Sequence, residues 1–266
     1  MIGIFDSGLG GLSALKEVRR LMPHEDIVYF GDTGRVPYGT RSRETIIKYS
    51  LQDMNFLLSH NIDAVMVACG TASSNALDIL RQTNPDIPII GVIDAGARAA
   101  AKSTKNKIIG VAGTPSTVGS GSFEKALHEI STDLKVVSAA CPLFVPLVEN
   151  GFVAPDEEIT KLAAKIHLES IIASGADTLI LGCTHYPIIA GAISAVIPNA
   201  TLINVGAAAA EEVRDIIAAK KSTDSDHIGS VEYFVSDEPQ GFERIASIFL
   251  GEEITDKVTR IDIEKY

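Results

Sequence analysis

The sequence lacks the features typical of membrane, secreted and nucleic-acid-binding proteins. No apolar stretch reaches the roughly 18 residues of a membrane span, and the start of the chain carries no basic segment of the kind that opens a signal peptide. No long cluster of lysine or arginine occurs, and 34 acidic residues outnumber 23 basic ones, for a formal net charge of -11. Nucleic acids are bound through basic surfaces, so we expect no nucleic-acid partner, no membrane and a cytoplasmic location.

Cysteine is also scarce, and its spacing argues against a disulfide framework. Only Cys69, Cys141 and Cys183 occur, an odd number spread far apart, which fits reduced thiols. No Cys-x-x-Cys or His-Glu-x-x-His motif is present, so we expect no bound metal. A zinc site built from Cys69, Cys183 and His185 is the alternative, because a Cys-x-His pair supplies two soft ligands.

Short apolar runs alternate with stretches of helical period along the 266 residues. We predict helices over Gly11–Met22, Ala72–Gln82 and Glu157–Ala173, and strands over Ile2–Phe5, Ile27–Phe30, Ile62–Ala68, Ile87–Val92, Lys107–Ala112, Leu134–Val137, Thr178–Leu181, Thr201–Val205, Val231–Phe234 and Val258–Ile263. The alternation predicts an α/β fold with mostly parallel sheets flanked by helices.

The chain also contains two similar segments, each an apolar run that ends in a cysteine and a threonine. Val65 to Thr71 contains Cys69, and Leu179 to His185 contains Cys183, 114 residues further on (183 minus 69). We therefore predict two similar domains related by a pseudo-two-fold axis, with the active site between them. The first comprises residues 1–95 and 207–266, and the second comprises residues 96–206.

These two cysteines are the main candidates for chemistry. Each follows a predicted strand, and ligands bind in such folds at the carboxyl ends of parallel strands. Either thiol alone is more often a small buried hydrophobe. The matching contexts favour function, and a helix start lowers the pKa of a thiol. One thiol on each side of a substrate can remove a proton from one face of a carbon and add one to the other, which inverts a stereocentre.

Three further segments offer polar groups. The loop Asp6 to Gly11 follows the first strand, and its glycines allow N–H groups to point at an anion, although a helix cap with turn glycines is the alternative. The loop Gly31 to Gly39 emerges at the same sheet edge or is a plain connecting loop. Glu149 ends an apolar run that begins at Cys141, where we expect the thiol to serve packing.

The chain resembles the glutamate racemases, cofactor-independent enzymes that supply D-glutamate for peptidoglycan. The resemblance lies in motifs that span nearly the whole sequence in order: Gly3 to Gly11, Gly31-Asp32-Thr33 with Pro37-Tyr38-Gly39, Ala68-Cys69 with Thr71-Ala72-Ser73, Cys141 to Glu149, and Leu181 to Pro187. The resemblance implies two α/β domains, glutamate as the small-molecule substrate, no cofactor, no metal and a homodimer.

The resemblance also assigns site residues. Cys69 and Cys183 are the two acid/base thiols, Cys69 acting on D-glutamate and Cys183 on L-glutamate, with Asp6, Glu149 and His185 assisting. The substrate is held by Asp6, Ser7, Pro37, Tyr38, Gly39, Gly70, Thr71, Thr114, Thr117, Cys183, Thr184 and His185. One departure is Gly70, where the family commonly has an asparagine that glycine cannot replace as a side-chain amide.

Three alternatives to this function remain at the level of sequence. Aspartate racemase also uses paired cysteines on a related fold. A thiol redox protein would use Cys69 and Cys183 as peroxidatic and resolving residues, which requires them within disulfide distance. The third alternative is a noncatalytic partner-binding protein that retains the fold.

Overall fold

The computed structural model describes residues 1–220, 227–239, 242–252, 254 and 257–266, and the elements below lie in these ranges. The strands are β1 Ile2–Asp6, β2 Ile27–Gly31, β3 Ala64–Val67, β4 Ile89–Gly91, β5 Ile108–Gly113, β6 Lys135–Ala140, β7 Thr178–Leu181, β8 Thr201–Asn204, β9 Val231–Val235 and β10 Val258–Arg260. The α-helices are α1 Leu12–Leu21, α2 Arg43–Leu58, α3 Gly70–Thr83, α4 Val92–Ser103, α5 Pro115–Gly119, α6 Ser122–Ile130, α7 Phe144–Glu149, α8 Glu158–His167, α9 Glu169–Ser174, α10 Ala190–Val196, α11 Val205–Lys220 and α12 Phe242–Leu250.

The strands of the described residues form two parallel sheets. The larger sheet has the order β10-β9-β2-β1-β3-β4, and the smaller has the order β6-β5-β7-β8. The order β2-β1-β3-β4 therefore recurs as β6-β5-β7-β8, which confirms the predicted α/β class with two similar units. Cys69 follows β3 and Cys183 follows β7, the equivalent strands of the two sheets.

The C-terminal segment returns to the larger sheet, because β9 pairs with β2 and β10 pairs with β9. The Ala-rich helix α11 leads back to it and packs against both α1 and α4. The residue bounds of the two domains stay a prediction. None of the described helices is long and apolar enough to cross a membrane.

Burial on both faces explains why the central strands read as continuous apolar runs. Every residue of β1, β2, β3 and β7 is buried, as expected for parallel strands covered by helices on both sides. Strand β6 lies at an edge, and most of its residues are exposed or half-buried.

Some predicted bounds were wrong. The predicted helix Glu157–Ala173 is two helices, because the backbone of Leu168 leaves helical geometry at φ -95° and ψ 8°. The predicted strand Val258–Ile263 ends at Arg260, and Ile263–Lys265 forms a 3-10 turn instead. The strand predicted from Ile62 begins at Ala64, since the Ile62 N–H closes a tight turn onto the His60 carbonyl.

Candidate active site

A cavity of about 330 Å³ lies where loops from the carboxyl ends of the two sheets meet. The predicted residues that line it are Ser7, Pro37, Tyr38, Gly39, Cys69, Gly70, Thr71, Thr114, Glu149, Cys183, Thr184 and His185. Asp6 and Thr117 lie behind this wall, each only 1% exposed. Two loops that follow strands of different sheets thus place both thiols at one cavity.

Cys69 is the N-cap residue of α3. Its Sγ accepts a hydrogen bond from the Ala72 N–H at 3.4 Å and lies 3.4 Å from Ser7 Oγ. Burial raises the pKa of the Cys69 thiol to about 12, and the nearby Asp6 carboxylate adds to this increase. The expectation that a helix start lowers the pKa was wrong for Cys69, because desolvation outweighs the N–H bond. Cys69 therefore holds its proton strongly.

Cys183 has a different environment. No α-helix begins directly after it, contrary to the expectation of a helix start at both thiols; a 3-10 turn begins at Tyr186. The Cys183 Sγ lies 3.7 Å from His185 Nδ1, and the opposite ring atom, Nε2, lies 3.1 Å from Glu149 Oε1. The three side chains form a chain in which the imidazole stands between a thiol and a carboxylate.

Burial lowers the pKa of His185, but the hydrogen bonds to Cys183 and Glu149, together with the charge of Asp6, raise it to about 10. The His185 imidazole lies within hydrogen-bond distance of the Cys183 thiol and can exchange a proton with it. The two thiols therefore have unequal surroundings, a desolvated one at Cys69 and a cationic one at Cys183.

Asp6 organises the first loop from behind. Its Oδ2 accepts a hydrogen bond from the Gly8 N–H at 3.0 Å, and its Oδ1 accepts one from Thr184 Oγ1 at 3.4 Å. Burial raises the pKa of Asp6, while His185 and the N–H groups of Gly11 and Gly8 lower it. The N–H groups predicted to face a bound anion are thus directed in part to an internal carboxylate.

Three threonine hydroxyls cluster at one side of the cavity. Thr71 Oγ1 lies 3.1 Å from Thr114 Oγ1 and 3.5 Å from Thr117 Oγ1, and the last two lie 3.0 Å apart. Thr71 lies in the first turn of α3, which follows strand β3 of the larger sheet, and the other two threonines belong to the loop and helix after β5. These hydroxyls join the two halves of the site and can donate to an anionic ligand.

Two glycines allow the two halves of the site to pack closely against each other. A Cβ atom at Gly10 would lie 2.3 Å from Thr184 Oγ1, and one at Gly70 would lie 2.2 Å from the Gly182 carbonyl oxygen. Neither glycine has the positive φ that a left-handed turn requires. Glycine at position 70, where the family commonly has asparagine, therefore has a steric role. It lets the backbone next to Cys69 pack directly against the backbone next to Cys183.

Gly70→Ala is expected to force these backbones apart. Alanine suits the first turn of a helix, so α3 should form normally, but its Cβ collides with the Gly182 carbonyl. A displacement of about 1 Å at reacting groups costs up to roughly 10²-fold, so we expect kcat to fall by about tenfold to a hundredfold. Gly119→Ala is the control, since no atom of the described residues lies within 4 Å of a Cβ added there. Unchanged turnover in Gly70→Ala would contradict the steric argument.

Cys141 also lines the cavity, in addition to the packing role expected of it. It is fully buried, and burial together with the neighbouring Cys183 raises the pKa of its thiol to about 12. All three cysteines are free thiols in the structure. Among the described residues, no group of three or more His, Cys, Asp or Glu side chains is placed to hold a metal ion.

Sequence reasoning missed several residues. Ser13 Oγ lies 2.9 Å from the Gly10 carbonyl and 2.8 Å from the Thr184 carbonyl, so it bridges the halves. No sequence signal distinguishes this serine within helix α1. The apolar wall of the cavity was also not predicted and consists of Val36, Pro115, Pro142, Val145 and Pro146.

The arrangement supports general acid–base chemistry on a small molecule. Two thiols from equivalent loops reach one cavity, which gives one proton donor and one acceptor on separate loops. No lysine or arginine is among the described residues that line the cavity, so an anionic ligand would be held by N–H groups, hydroxyls and His185.

Comparisons with known proteins agree with this chemistry. The sequence pattern of the Asp/Glu/hydantoin racemase family matches residues 12–213. The glutamate racemase of Persephonella marina is 47% identical over 253 residues, which are 95% of this chain and 94% of that protein. The glutamate racemase of Sulfurihydrogenibium sp. is 43% identical and covers 98% of each chain.

A solved structure is also similar over the full chain. The glutamate racemase of Francisella tularensis, crystallised in complex with D-glutamate, has a TM-score of 0.92 and 34% sequence identity. The match covers 100% of this chain and 98% of that one.

Proposed function

We infer that this chain, which belongs to the Asp/Glu/hydantoin racemase family, interconverts L-glutamate and D-glutamate. The reaction makes it an isomerase that supplies D-glutamate for peptidoglycan. The observation that carries the mechanism is the pair of buried thiols, Cys69 and Cys183, on equivalent loops at one cavity. We propose that each thiol serves one face of the substrate Cα and that no cofactor takes part.

The unequal surroundings of the thiols suggest how a turnover begins. Cys69 retains its proton because it is desolvated, whereas Cys183 faces the His185 imidazole. We propose that Cys183, as thiolate, removes the Cα proton of L-glutamate and that Cys69 donates a proton to the opposite face. The reverse reaction requires the opposite protonation states, with Cys69 removing the proton of D-glutamate. Glu149 holds the imidazole in place through Nε2.

Substrate binding rests on neutral donors. Gly70 and Thr71 begin α3, and the first N–H groups of a helix have no partner within it. We propose that these groups, with the hydroxyls of Ser7, Thr114 and Thr184, hold the two carboxylates. The loop Pro37-Tyr38-Gly39 closes the other side of the cavity. Asp6 and Thr117 act from behind by ordering these donors.

Deuterium labelling tests the two-base mechanism. In D₂O at early conversion, the D-glutamate formed should carry deuterium at Cα, while recovered L-glutamate should carry little. The reason is that each thiol exchanges its own proton with solvent and faces only one side of the substrate. Mass spectrometry of both enantiomers measures the labels. Equal early labelling of substrate and product would mean a single base, and a wild type without racemisation would refute the activity itself.

We also propose a homodimer that forms through α8. Ile159, Leu162 and Ile166 lie at spacings of three and four residues and are 48%, 58% and 61% exposed, so they form an apolar stripe. Acidic Glu158 begins the helix and basic Lys165 lies near its end. Antiparallel pairing with a second copy would bury the stripe and bring these opposite charges together.

Leu162→Glu is expected to shift the protein from dimer to monomer, because it places a charge at the centre of the stripe. Sedimentation equilibrium over a range of concentrations measures the change. Ile228→Glu is the matched control, since Ile228 is 84% exposed and lies away from α8. A wild type that is monomeric at all concentrations, or a Leu162→Glu dimer, would contradict the proposed interface.

A further inference from the structure

A buried polar cluster lies behind the loop Pro37-Tyr38-Gly39 and shares only Tyr38 with the groups that the proposed function uses. It consists of Asp32, Arg35, Tyr38 and Asp53. Asp32 and Asp53 are 0% exposed, Tyr38 is 1% exposed, and the Arg35 side chain is 10% exposed. Asp53 comes from the middle of helix α2 and belongs to no sequence motif.

The hydrogen bonds of the two carboxylates differ. Asp32 accepts from three donors: Ser236 Oγ at 2.7 Å, Arg35 Nε at 2.6 Å and the Tyr38 hydroxyl at 2.5 Å. Asp53 Oδ1 accepts from the Arg35 guanidinium at 2.9 Å, and its Oδ2 lies 2.8 Å from Tyr38 Oη. Asp32 is thus surrounded by three donors, whereas Arg35 is the one donor to Asp53 that Asp32 does not compete for through the phenol.

The phenol cannot satisfy both acids. Tyr38 has one hydroxyl proton, yet its oxygen lies within hydrogen-bond distance of Asp32 and of Asp53. If the phenol donates to Asp32, the second contact needs a proton from Asp53. Two ionised carboxylates around Arg35 would also leave one buried negative charge uncompensated, which is costly. Burial and the charge of Asp32 raise the pKa of Asp53 well above its ordinary value, which agrees with this proton count.

The cluster reaches the cavity through Tyr38. Tyr38 and the flanking Pro37 and Gly39 line the cavity, and Gly39 packs so closely on Thr114 that a Cβ there would lie 3.1 Å from the Thr114 Cβ. The ring also packs against Tyr49, with centroids 5.5 Å apart, and Arg35 lies 4.2 Å above the Tyr49 ring. The position of Tyr38 therefore sets the wall that faces the substrate.

We propose that Asp53 is a positioning residue, a neutral carboxylic acid whose hydroxyl donates to Tyr38 Oη while its carbonyl oxygen accepts from Arg35. In this role Asp53 holds the loop Pro37-Tyr38-Gly39 in the conformation that binds glutamate. The effect on catalysis rests on the proposed function, and the effect on loop order does not.

Two substitutions distinguish the neutral acid from an anion. Asp53→Asn keeps both contacts, because its amide donates to Tyr38 and its carbonyl accepts from Arg35. Asp53→Leu has a similar size and removes both. We expect Asp53→Leu to raise KM for L-glutamate roughly tenfold with kcat within about threefold, and Asp53→Asn to stay within about twofold of wild type in both. Ser50→Ala is the matched control, since Ser50 lies on the same helix and its buried hydroxyl has no hydrogen-bond partner among the described residues.

Amide hydrogen exchange of residues 38–41, followed by mass spectrometry, measures the order of the loop without requiring any turnover. Exchange should speed up in Asp53→Leu and match wild type in Asp53→Asn and Ser50→Ala. An Asp53→Asn variant with fast exchange and high KM would overturn the proposal even if Asp53→Leu fails to fold. A folded Asp53→Leu variant with wild-type exchange would overturn it as well. A wild type without racemisation would refute the proposed function, while the exchange comparison would still decide the role of Asp53.

Discussion

Cys69→Ser and Cys183→Ser are each expected to lose nearly all net racemisation. Every turnover in either direction uses one thiol to remove a proton and the other to donate one, so neither can be dispensed with. A serine hydroxyl is far less acidic than a thiol and is a poor base at neutral pH. General acid–base groups contribute about 10²- to 10⁴-fold, and we expect losses in this range. Coupled detection of D-glutamate formed from L-glutamate measures them.

Each cysteine variant should retain one half-reaction, the exchange of the Cα proton of one enantiomer with solvent. A Cys69→Ser enzyme keeps Cys183 and should still exchange the Cα proton of L-glutamate with solvent, without forming D-glutamate. Cys183→Ser should do the same for D-glutamate. Cys141→Ser is the comparison for a buried thiol that lines the cavity but is assigned no proton transfer, and it should retain most of its activity. A Cys69 or Cys183 variant that keeps more than about a tenth of wild-type activity, a loss under about 1.4 kcal/mol, would show that its thiol is not a required base.

Glutamate is expected to be used about 10- to 150-fold better than aspartate, in kcat/KM, because the distal carboxylate must reach fixed donors. The chemistry at Cα is the same for both amino acids, so selection depends on where that carboxylate lands. N–H and hydroxyl donors, such as those of Thr71, Thr114 and Thr184, do not move to follow a chain that is one methylene shorter. A misplaced charge-assisted hydrogen bond costs roughly 1.5 to 3 kcal/mol, which corresponds to this ratio.

The measurement is kcat/KM for L-glutamate and L-aspartate, with a chelator and without added cofactor. Equal or better use of aspartate would make the chain an aspartate racemase. Loss of activity on chelation would instead support the zinc alternative for Cys69, Cys183 and His185. Peroxide consumption in place of racemisation would support the thiol redox alternative.

Local sequence predicted the regular elements well where burial is uniform. Strand β7 begins and ends at the predicted residues, Thr178 and Leu181, because a strand buried on both faces is a continuous apolar run. Strand β6 extends to Ala140, beyond the predicted end at Val137. Its small residues Ser138 and Ala139 give a weak strand signal, and the parallel register with β5 extends it. Helix α8 ends at His167, before the predicted end, where the backbone of Leu168 leaves helical geometry.

The residues of the candidate site were likewise predicted where local sequence carries the signal and missed where tertiary contacts decide. The repeated apolar runs indicated that Cys69 and Cys183 follow equivalent strands, and the structure brings both to one cavity. The role of Gly70 was not visible in the sequence, because it depends on Gly182, which is remote along the chain. Asp53 was missed for the same reason, since its partners Arg35 and Tyr38 lie on a different element.

The sequence by itself determined the α/β class, the repeated thiol loops and the family, since these depend on residue type and order. The tertiary structure alone decided the electrostatics of the site. The pKa of Cys69 rises through burial, whereas Cys183 faces an imidazole held by Glu149, although the local sequences of the two loops are alike. Desolvation and charge act through space over a few ångströms, so they depend on which distant segments pack together.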